Sequence, residues 1–455
     1  MTHTTDQLRQ DALAIFQTGI QAADPYLAVK RCLQSDGKQL DIALDLNNTT
    51  KRSGNWQKIH VLAFGKAACA MAKAAQETIP TQLVASPIIA ITNYENVTEL
   101  VNIDVIGANH PLPDQAGLAA AQRIAKIAQQ AQQGELVLVL VSGGGSALIP
   151  YPAEGISLAE KIATTDLLLA SGASINAMNC VRKHLSQLKG GGLAKMTAPA
   201  DLHALILSDV LGDDLSTIAS GPTVADDTTF HGAIQALKDR QLWHKVTPNV
   251  QAYLEKGAQG IISEPPKPGD AIFDSTSHTL CGSNAISVQA ISQSAQNLGY
   301  ELRLYSDQLS GEAKQVAEDL AIYAHALLAN DINKPCAILA GGETTVTVTG
   351  TGSGGRNQEM ALAFALAAEK HSLKANWVFL SGGTDGRDGP TDAAGGIVDN
   401  QTLQRMRNAA IEPKQYLANN DAYHALQISE DLLITGATGT NVADLQVLLL
   451  LPQLT

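Results

Sequence analysis

Leu136 to Leu148 reads LVLVLVSGGGSAL, and no other stretch limits the fold so tightly. Six apolar residues form a strand that must be buried. They stop at Ser142-Gly143-Gly144-Gly145-Ser146, and a helical segment follows. Three glycines in a row bring bare backbone N–H groups to the open end of a sheet and permit positive φ. Such a loop can wrap an anion. The pattern returns in CAILAGGETTV (Cys336 to Val346) and WVFLSGGTDG (Trp377 to Gly386). A chain that builds several such loops, with a lysine and an arginine beside others, is most simply read as handling phosphate.

Its 455 residues suffice for two or three domains, and 45% hydrophobic against 16% charged residues allows sizeable cores. The formal net charge of −13 excludes general nucleic-acid binding, which needs a basic face. An anionic substrate must then be captured by local cations and not by the field of the whole protein. The five cysteines, Cys32, Cys69, Cys180, Cys281 and Cys336, are widely spaced and include no CxxC pair, so packed free thiols in a reducing compartment are expected. The N-terminal stretch lacks the basic and apolar regions of a signal peptide, and apolar runs such as Leu445 to Leu451 are too short to span a bilayer. The expectation is a cytoplasmic protein with neither membrane nor nucleic-acid partners. Homo-oligomerisation is left open.

Periodicity predicts helices over Thr5 to Ala22 and from Pro25, the latter capped by Asp24. A polar turn or loop is predicted over Asp45 to Asn55. Strands are predicted at Ile59 to Phe64 and Ser86 to Thr92, and a helix over Gln115 to Gln133. Alternation continues through Asp166 to Ala170, read as a strand, the helix Ala177 to Leu188 and the strand Ala204 to Ser208. This rhythm implies a largely parallel sheet with helices on both faces. Three prolines within Pro265 to Pro268 suggest a stiff linker or loop, and a second strand–helix series begins near Asp274. The expected fold class is therefore α/β, with a Rossmann-like domain over 1–250 and a second α/β domain over 251–455.

Gly65-Lys66-Ala67 lies between a strand and a helix, where lysine can serve as a point charge for phosphate, although it lacks Walker spacing. Gly350, Gly352 and Gly355 satisfy GxGxxG, formally a dinucleotide fingerprint. The preceding Thr344 to Thr349 alternates Thr and Val, however, and no acidic residue follows at the required distance. Arg356 reads better as a bidentate anion clamp, with a salt-bridged arginine as the plain alternative. Asp385, Asp388 and Asp392 share one turn-rich loop and suit either ordinary turn capping or magnesium with phosphate oxygens; Asp209, with Asp213 and Asp214 nearby, is the rival. Arg182, Lys183 and Lys189 read as a solvated basic face. His110 and His184 have no partner at metal-ligand spacing.

Taken together, Lys66 in its strand–helix turn, VSGGGSAL, SDVLGDDLSTIASGPT, GGETTV, GSGGRNQE, GTDGRDGPTDAAGG and TGATGTNVADL resemble the class II glycerate kinases, whose C-terminal part is called the MOFRL domain. The resemblance runs from about residue 60 to 445. It implies two α/β domains with an active-site cleft between them, ATP and Mg2+, and transfer of the γ-phosphoryl group to the 2-hydroxyl of D-glycerate. It carries the catalytic lysine and arginine onto Lys66 and Arg356. Nucleotide and substrate contacts fall to Ser142, Gly143, Gly144, Gly145 and Ser146, to Gly341, Gly342, Glu343 and Thr344, and to Gly354 and Gly355. Ser142 to Ser146 is the candidate for the glycerate carboxylate, and Asp209 and Asp388 are the candidates for magnesium. The chain departs from the family pattern at Gly192, Leu211, Leu215 and Ala437. Two other functions compete: a nicotinamide-dependent hydroxypyruvate reductase, resting on the single GxGxxG, and a metabolite-binding regulator without catalysis.

Overall fold

The computed structural model describes residues 4–46, 49–85, 87–330 and 334–452. The chain divides into two compact units, Pro25–Cys281 and Met1–Asp24 together with Gly282–Thr455. The division differs from the one expected at 250/251, and two packing choices explain it. The first helix, Thr5–Ala22, buries Leu8, Ala12, Ile15 and Phe16 among Val288, Ile291, Val378, Leu380 and Val447 of the second unit. The strand Thr276–Gly282 joins the sheet of the first unit. The proline-rich segment is correspondingly no linker. Pro266 accepts the Asp226 N–H at 2.9 Å, and Lys267 Nζ donates to the Asp226 carbonyl at 3.0 Å.

The first unit is built on a six-stranded sheet. Its order is Ile103–Ala108, Ile88–Asn93, Ile59–Phe64, Leu136–Val141, Asp201–Leu207, Thr276–Gly282. The four pairings among the first five strands are parallel. In chain order this is 3-2-1-4-5-6, the doubly wound order, whose direction reverses between Ile59–Phe64 and Leu136–Val141. Those two strands are buried almost throughout, as continuous apolar runs in parallel sheets must be. The helix Gln115–Gln130 starts on an Asp114 cap and lays Ala120, Ala121, Ile124 and Ala128 on the sheet. The predicted strand Asp166 to Ala170 is instead the end of the helix Leu158–Ala170, nucleated by a Ser157–Glu160 capping box. Within Asp45 to Asn55 the chain forms a turn and then the short strand Lys51–Ser53, with 47–48 outside the described residues. The strand expected from Ser86 is described from Ile88, Ser86 itself lying outside the described residues.

The second unit carries a mixed six-stranded sheet in the order Glu301–Leu309, Cys336–Gly342, Asp444–Pro452, Ala375–Gly383, Gly395–Asp399, Leu432–Leu433. The apolar C-terminal strand is central and antiparallel to both neighbours. Its first residue, Asp444, stands in register with Gly342 on one side and Gly383 on the other. The helix Arg356–Lys370 is buried along most of its length. All five cysteines are free and buried, as expected of packed thiols. Among the described residues no helix is long and apolar enough to cross a membrane.

Candidate functional site

In a doubly wound sheet, ligands bind beyond the carboxyl ends of the strands where the order reverses. Gly65-Lys66 and Ser142–Ser146 end the two strands at that point. The two loops are tied to each other. Lys66 N–H donates to the Gly143 carbonyl at 2.9 Å, Ser142 N–H to the Phe64 carbonyl at 3.1 Å, and Ala67 N–H to Ser142 Oγ at 3.0 Å. Gly65 holds φ at +126°, and a Cβ there would lie 2.2 Å from Ser142 Oγ, so only glycine permits the crossing. The Lys66 carbonyl accepts from Thr92 Oγ1 and Asn96 Nδ2 at 3.1 and 3.0 Å. This fixes the backbone and leaves the lysine side chain at an exposed position.

Among the described residues, the N–H groups of Gly143, Gly144 and Gly145 donate to no protein acceptor. Unpaired donors at a strand end, beside a lysine, form a nest for an anion. Two further side chains, Asp209 and His110, close on it beside Lys66. A Cβ on Gly143 would fall 2.2 Å from Asp209 Oδ2, and one on Gly144 would fall 3.0 Å from the His110 ring and 3.4 Å from Lys66 Cγ. Burial, and then the Lys66 charge, hold the His110 pKa below its ordinary value, so the ring is neutral near pH 7. Ala219 and Ser220 adopt φ of +50° and +61°, and Ala219 packs on Gly145. Strained backbone of this kind persists where the surroundings over-determine it, commonly at functional sites.

The solvated basic face expected of Arg182, Lys183 and Lys189 is not formed. The helix Ile175–His184 ends before Lys189, so a seven-residue helical spacing does not apply. Lys189 is 2% exposed and Lys183 5% exposed, the latter paired with Asp226 at 3.2 Å. Lys189 Nζ donates to the Ser146 carbonyl at 2.9 Å and to Ser146 Oγ, and Arg182 also reaches Ser146 Oγ. The sequence signal that went unused was Lys189-Gly190-Gly191-Gly192. Gly190 and Gly191 take positive φ, and a Cβ at Gly192 would strike the Gln187 carbonyl at 2.1 Å.

In the second unit the glycines serve differently. A Cβ on Gly341 would meet Asn284 Oδ1 and Val288 Cγ2 at 2.3 Å, and one on Gly342 would meet Leu309 backbone at 2.2 Å. The close approach they permit is to protein, which removes the reason for reading them as ligand contacts. Glu343 N–H likewise donates to the Leu309 carbonyl, while Thr344 is buried with its hydroxyl unpartnered. No strand forms over 344–349. Asn420 Oδ1 accepts from Thr349 N–H and Gly350 N–H at 2.8 and 2.9 Å, and Asp421 Oδ1 accepts from Ser353 N–H at 2.9 Å. Donors that a dinucleotide fingerprint would aim at pyrophosphate are thus occupied. Gly355 precedes the helix Arg356–Lys370 and lies against Asp388, whereas a Cβ on Gly354 would have only ordinary contacts.

Arg356 is salt-bridged. Its Nε and Nη2 bind the two Asp444 oxygens at 2.6 and 2.8 Å, and Nη1 lies 3.1 Å from Glu343 Oε1. Burial works against the guanidinium charge, but Asp444 and Glu343 outweigh it and hold the pKa above its ordinary value. Asp388 accepts from Asn357 N–H at 3.2 Å and Gln358 N–H at 2.8 Å, the first turn of that helix. Burial pushes its pKa up to about 6. Asp385 caps Arg387 N–H, Asp388 caps the helix Arg356–Lys370 and Asp392 accepts from Tyr423, so the three carboxylates have separate partners and do not pool their oxygens. Among the described residues no group of three or more His, Cys, Asp or Glu could hold a metal. Magnesium accepts one or two carboxylates plus phosphate oxygens. Asp209, against the glycine nest, fits that donor set; Asp388, with both oxygens on backbone N–H groups, does not.

Residues 11–255 match a family described as a domain of unknown function (DUF4147), and residues 336–444 match the MOFRL family. A glycerate 2-kinase of Pyrococcus horikoshii is 39% identical over 96% of this chain and 96% of its own. The chain belongs to the class II glycerate kinase family. The crystal structure of a Thermotoga maritima glycerate kinase superposes with a TM-score of 0.86 at 36% identity, covering 98% of this chain and 100% of that one. An Agrobacterium vitis relative, 36% identical over 99% of this chain, carries a provisional hydroxypyruvate reductase name. The tied-down GxGxxG loop gives the glycerate kinase fold here no dinucleotide cradle to match that name.

Proposed function

We propose that this protein is a glycerate 2-kinase that transfers the γ-phosphoryl group of ATP to the 2-hydroxyl of D-glycerate. The observation that carries this is the open N–H nest of Gly143 to Gly145 with Lys66 beside it, at the switch point of a doubly wound sheet. Its support is full-length kinship with a glycerate 2-kinase. Phosphoryl transfer asks for positioning and charge neutralisation more than for covalent chemistry. Lys66 and the nest stabilise charge on the transferring group, and their preorganisation is what makes them effective. Arg356 contacts nucleotide phosphate through its Nη1 edge, where its partner Glu343 is 47% exposed and can give way. Asp444, buried and bidentate, is the positioning residue for that guanidinium. Asp209 would hold Mg2+, which when bound would neutralise nucleotide charge. The acceptor hydroxyl is the 2-hydroxyl because a pinned carboxylate holds its neighbour rigidly while the 3-hydroxyl still rotates.

The test is incubation of pure protein with ATP, Mg2+ and D-glycerate, followed by phosphorus NMR against both phosphoglycerate isomers. A 2-phospho-D-glycerate signal is expected. A dominant 3-phospho signal rejects the regiochemistry, and nicotinamide oxidation with hydroxypyruvate in place of ATP consumption rejects the kinase.

A further inference from the structure

Beside the nest lies a pocket of about 310 Å³ lined by Gly144, Ser146, His110, Lys161, Arg182 and Lys189. Three of these are cations, and among the described residues none of the three forms an ion pair. Lys183, on the same helix as Arg182, does have a carboxylate partner, so the absence is particular to the pocket. Lys189 and Lys161 are 2% and 6% exposed. Removing such charges from water is costly unless an opposite charge meets them.

The hydrogen bonds show which cation is available. Lys161 Nζ donates to the carbonyls of Leu185 and Arg182 at 2.8 and 3.2 Å, which caps the end of the helix Ile175–His184. Lys189 donates to Ser146 and, at 3.4 Å, to Ser220 Oγ. Those acceptors are neutral oxygens and offset no charge. Arg182 uses only Nη2, toward Ser146 Oγ, and among the described residues its Nε and Nη1 have no acceptor. The one carboxylate on the lining, Asp166, is exposed. A guanidinium with an unfilled fork, sharing its pocket with two buried lysines, has the shape and charge for a planar carboxylate. The volume suits an acid of a few heavy atoms better than a nucleotide.

We propose that this pocket binds the carboxylate of the acceptor hydroxy acid, with Arg182 as the direct contact and Lys189 and Lys161 supplying the buried positive field. The identity of the acid rests on the kinase function above; the preference for a small carboxylate rests on the pocket alone. Glycerate's carboxylate thereby moves from the Ser142–Ser146 nest to its neighbour, and the nest is left to phosphate. Burial, then repulsion from Arg182 and Lys161, holds Lys189 well below its ordinary pKa, and a bound carboxylate removes the second cause.

The experiment measures D-glycerate binding by calorimetry without nucleotide, and KM for D-glycerate and for ATP, in wild type, Arg182→Gln and Lys189→Met. Arg182→Gln should weaken glycerate binding and raise its KM by about 100-fold, with KM for ATP unchanged. Lys189→Met removes a buried cation site that a bound carboxylate would favour, so it should lose most of the glycerate-induced rise in Tm. That variant carries the test if Arg182→Gln does not fold. Unchanged glycerate affinity in both variants overturns the pocket. Inorganic phosphate displacing glycerate from it at equal concentration overturns the carboxylate assignment. Wild type that phosphorylates glycerate with Arg182→Gln unaffected keeps the kinase and rejects the pocket. Wild type that binds glycerate through Arg182 but never phosphorylates it keeps the pocket and rejects the kinase.

Discussion

The glycines of Ser142–Ser146 and those of Gly341–Gly355 look alike in sequence and are spent differently. In the first unit Gly143, Gly144 and Gly145 leave their N–H groups without protein acceptors, with Lys66 packed close by. In the second unit Gly341 and Gly342 let the sheet close against Asn284, Val288 and Leu309, and Asn420 takes up the N–H groups of Thr349 and Gly350. A glycine run therefore marks a close approach, but the partner that approaches is decided far away in the chain.

Four measurements break or sharpen this contrast. The largest effect is expected from Lys66→Ala, which should lower kcat by about 1,000-fold while the melting temperature stays put, because the side chain is exposed. Near-normal turnover would remove the nest from the chemistry. Next comes Asp444→Asn. It leaves Arg356 without its bidentate partner in a buried setting and should cost about 3 kcal/mol in urea unfolding; Arg356→Lys should not restore activity lost in Arg356→Ala. A stability unchanged by Asp444→Asn would mean the ion pair does not organise this end of the helix.

A matched pair follows. Gly341→Ala places a methyl 2.3 Å from Asn284 and Val288 and should cost about 1–3 kcal/mol by overpacking, with kcat little changed. Gly144→Ala, at φ +83°, should cost about 1–2 kcal/mol and lower kcat as well, since it narrows the nest. The reverse pattern would exchange the roles of the two loops.

The smallest effect is in acid, where the units should respond with opposite sign. Burial first, then Arg52 and His278, holds His203 down to about 3 from 6.5. Between those values the unfolded chain takes the proton and the folded one does not, so the first unit loses stability as pH falls below 6.5. Asp388, raised by burial to about 6 from 3.8, takes its proton in the folded state first, so it adds stability as pH falls from about 6 toward 3.8. Each slope is bounded by about 1.4 kcal/mol per pH unit. Urea midpoints from pH 7 to 4.5 should flatten in His203→Gln and steepen in Asp388→Asn; identical slopes in all three proteins would remove both groups from the linkage.

What the sequence could convey follows range of interaction. The helix Thr5–Ala22 and the strand Ile59–Phe64 were legible to the residue because caps and periodicity are local. The parallel first sheet was legible from continuous apolar runs. The membership of the first helix was not, because its apolar face specifies burial without naming a partner. The same limit applies at the site. Lys66 and the nest are set by their own loop. The pairing of Arg356 with Asp444, 88 positions apart, and of Lys189 with Ser146, 43 apart, depends on contacts no local pattern encodes. The aspartates of Asp385 to Asp392 misled for the complementary reason: a turn and a metal site want the same residue.

The contrast between the glycine loops can be read directly from amide shifts. In glycine-labelled protein titrated with D-glycerate, Mg2+ and ADP, the signals of Gly143, Gly144 and Gly145 should move while those of Gly350 and Gly352 stay in place. Movement at Gly350 and Gly352 with Gly143 to Gly145 unmoved would contradict the account.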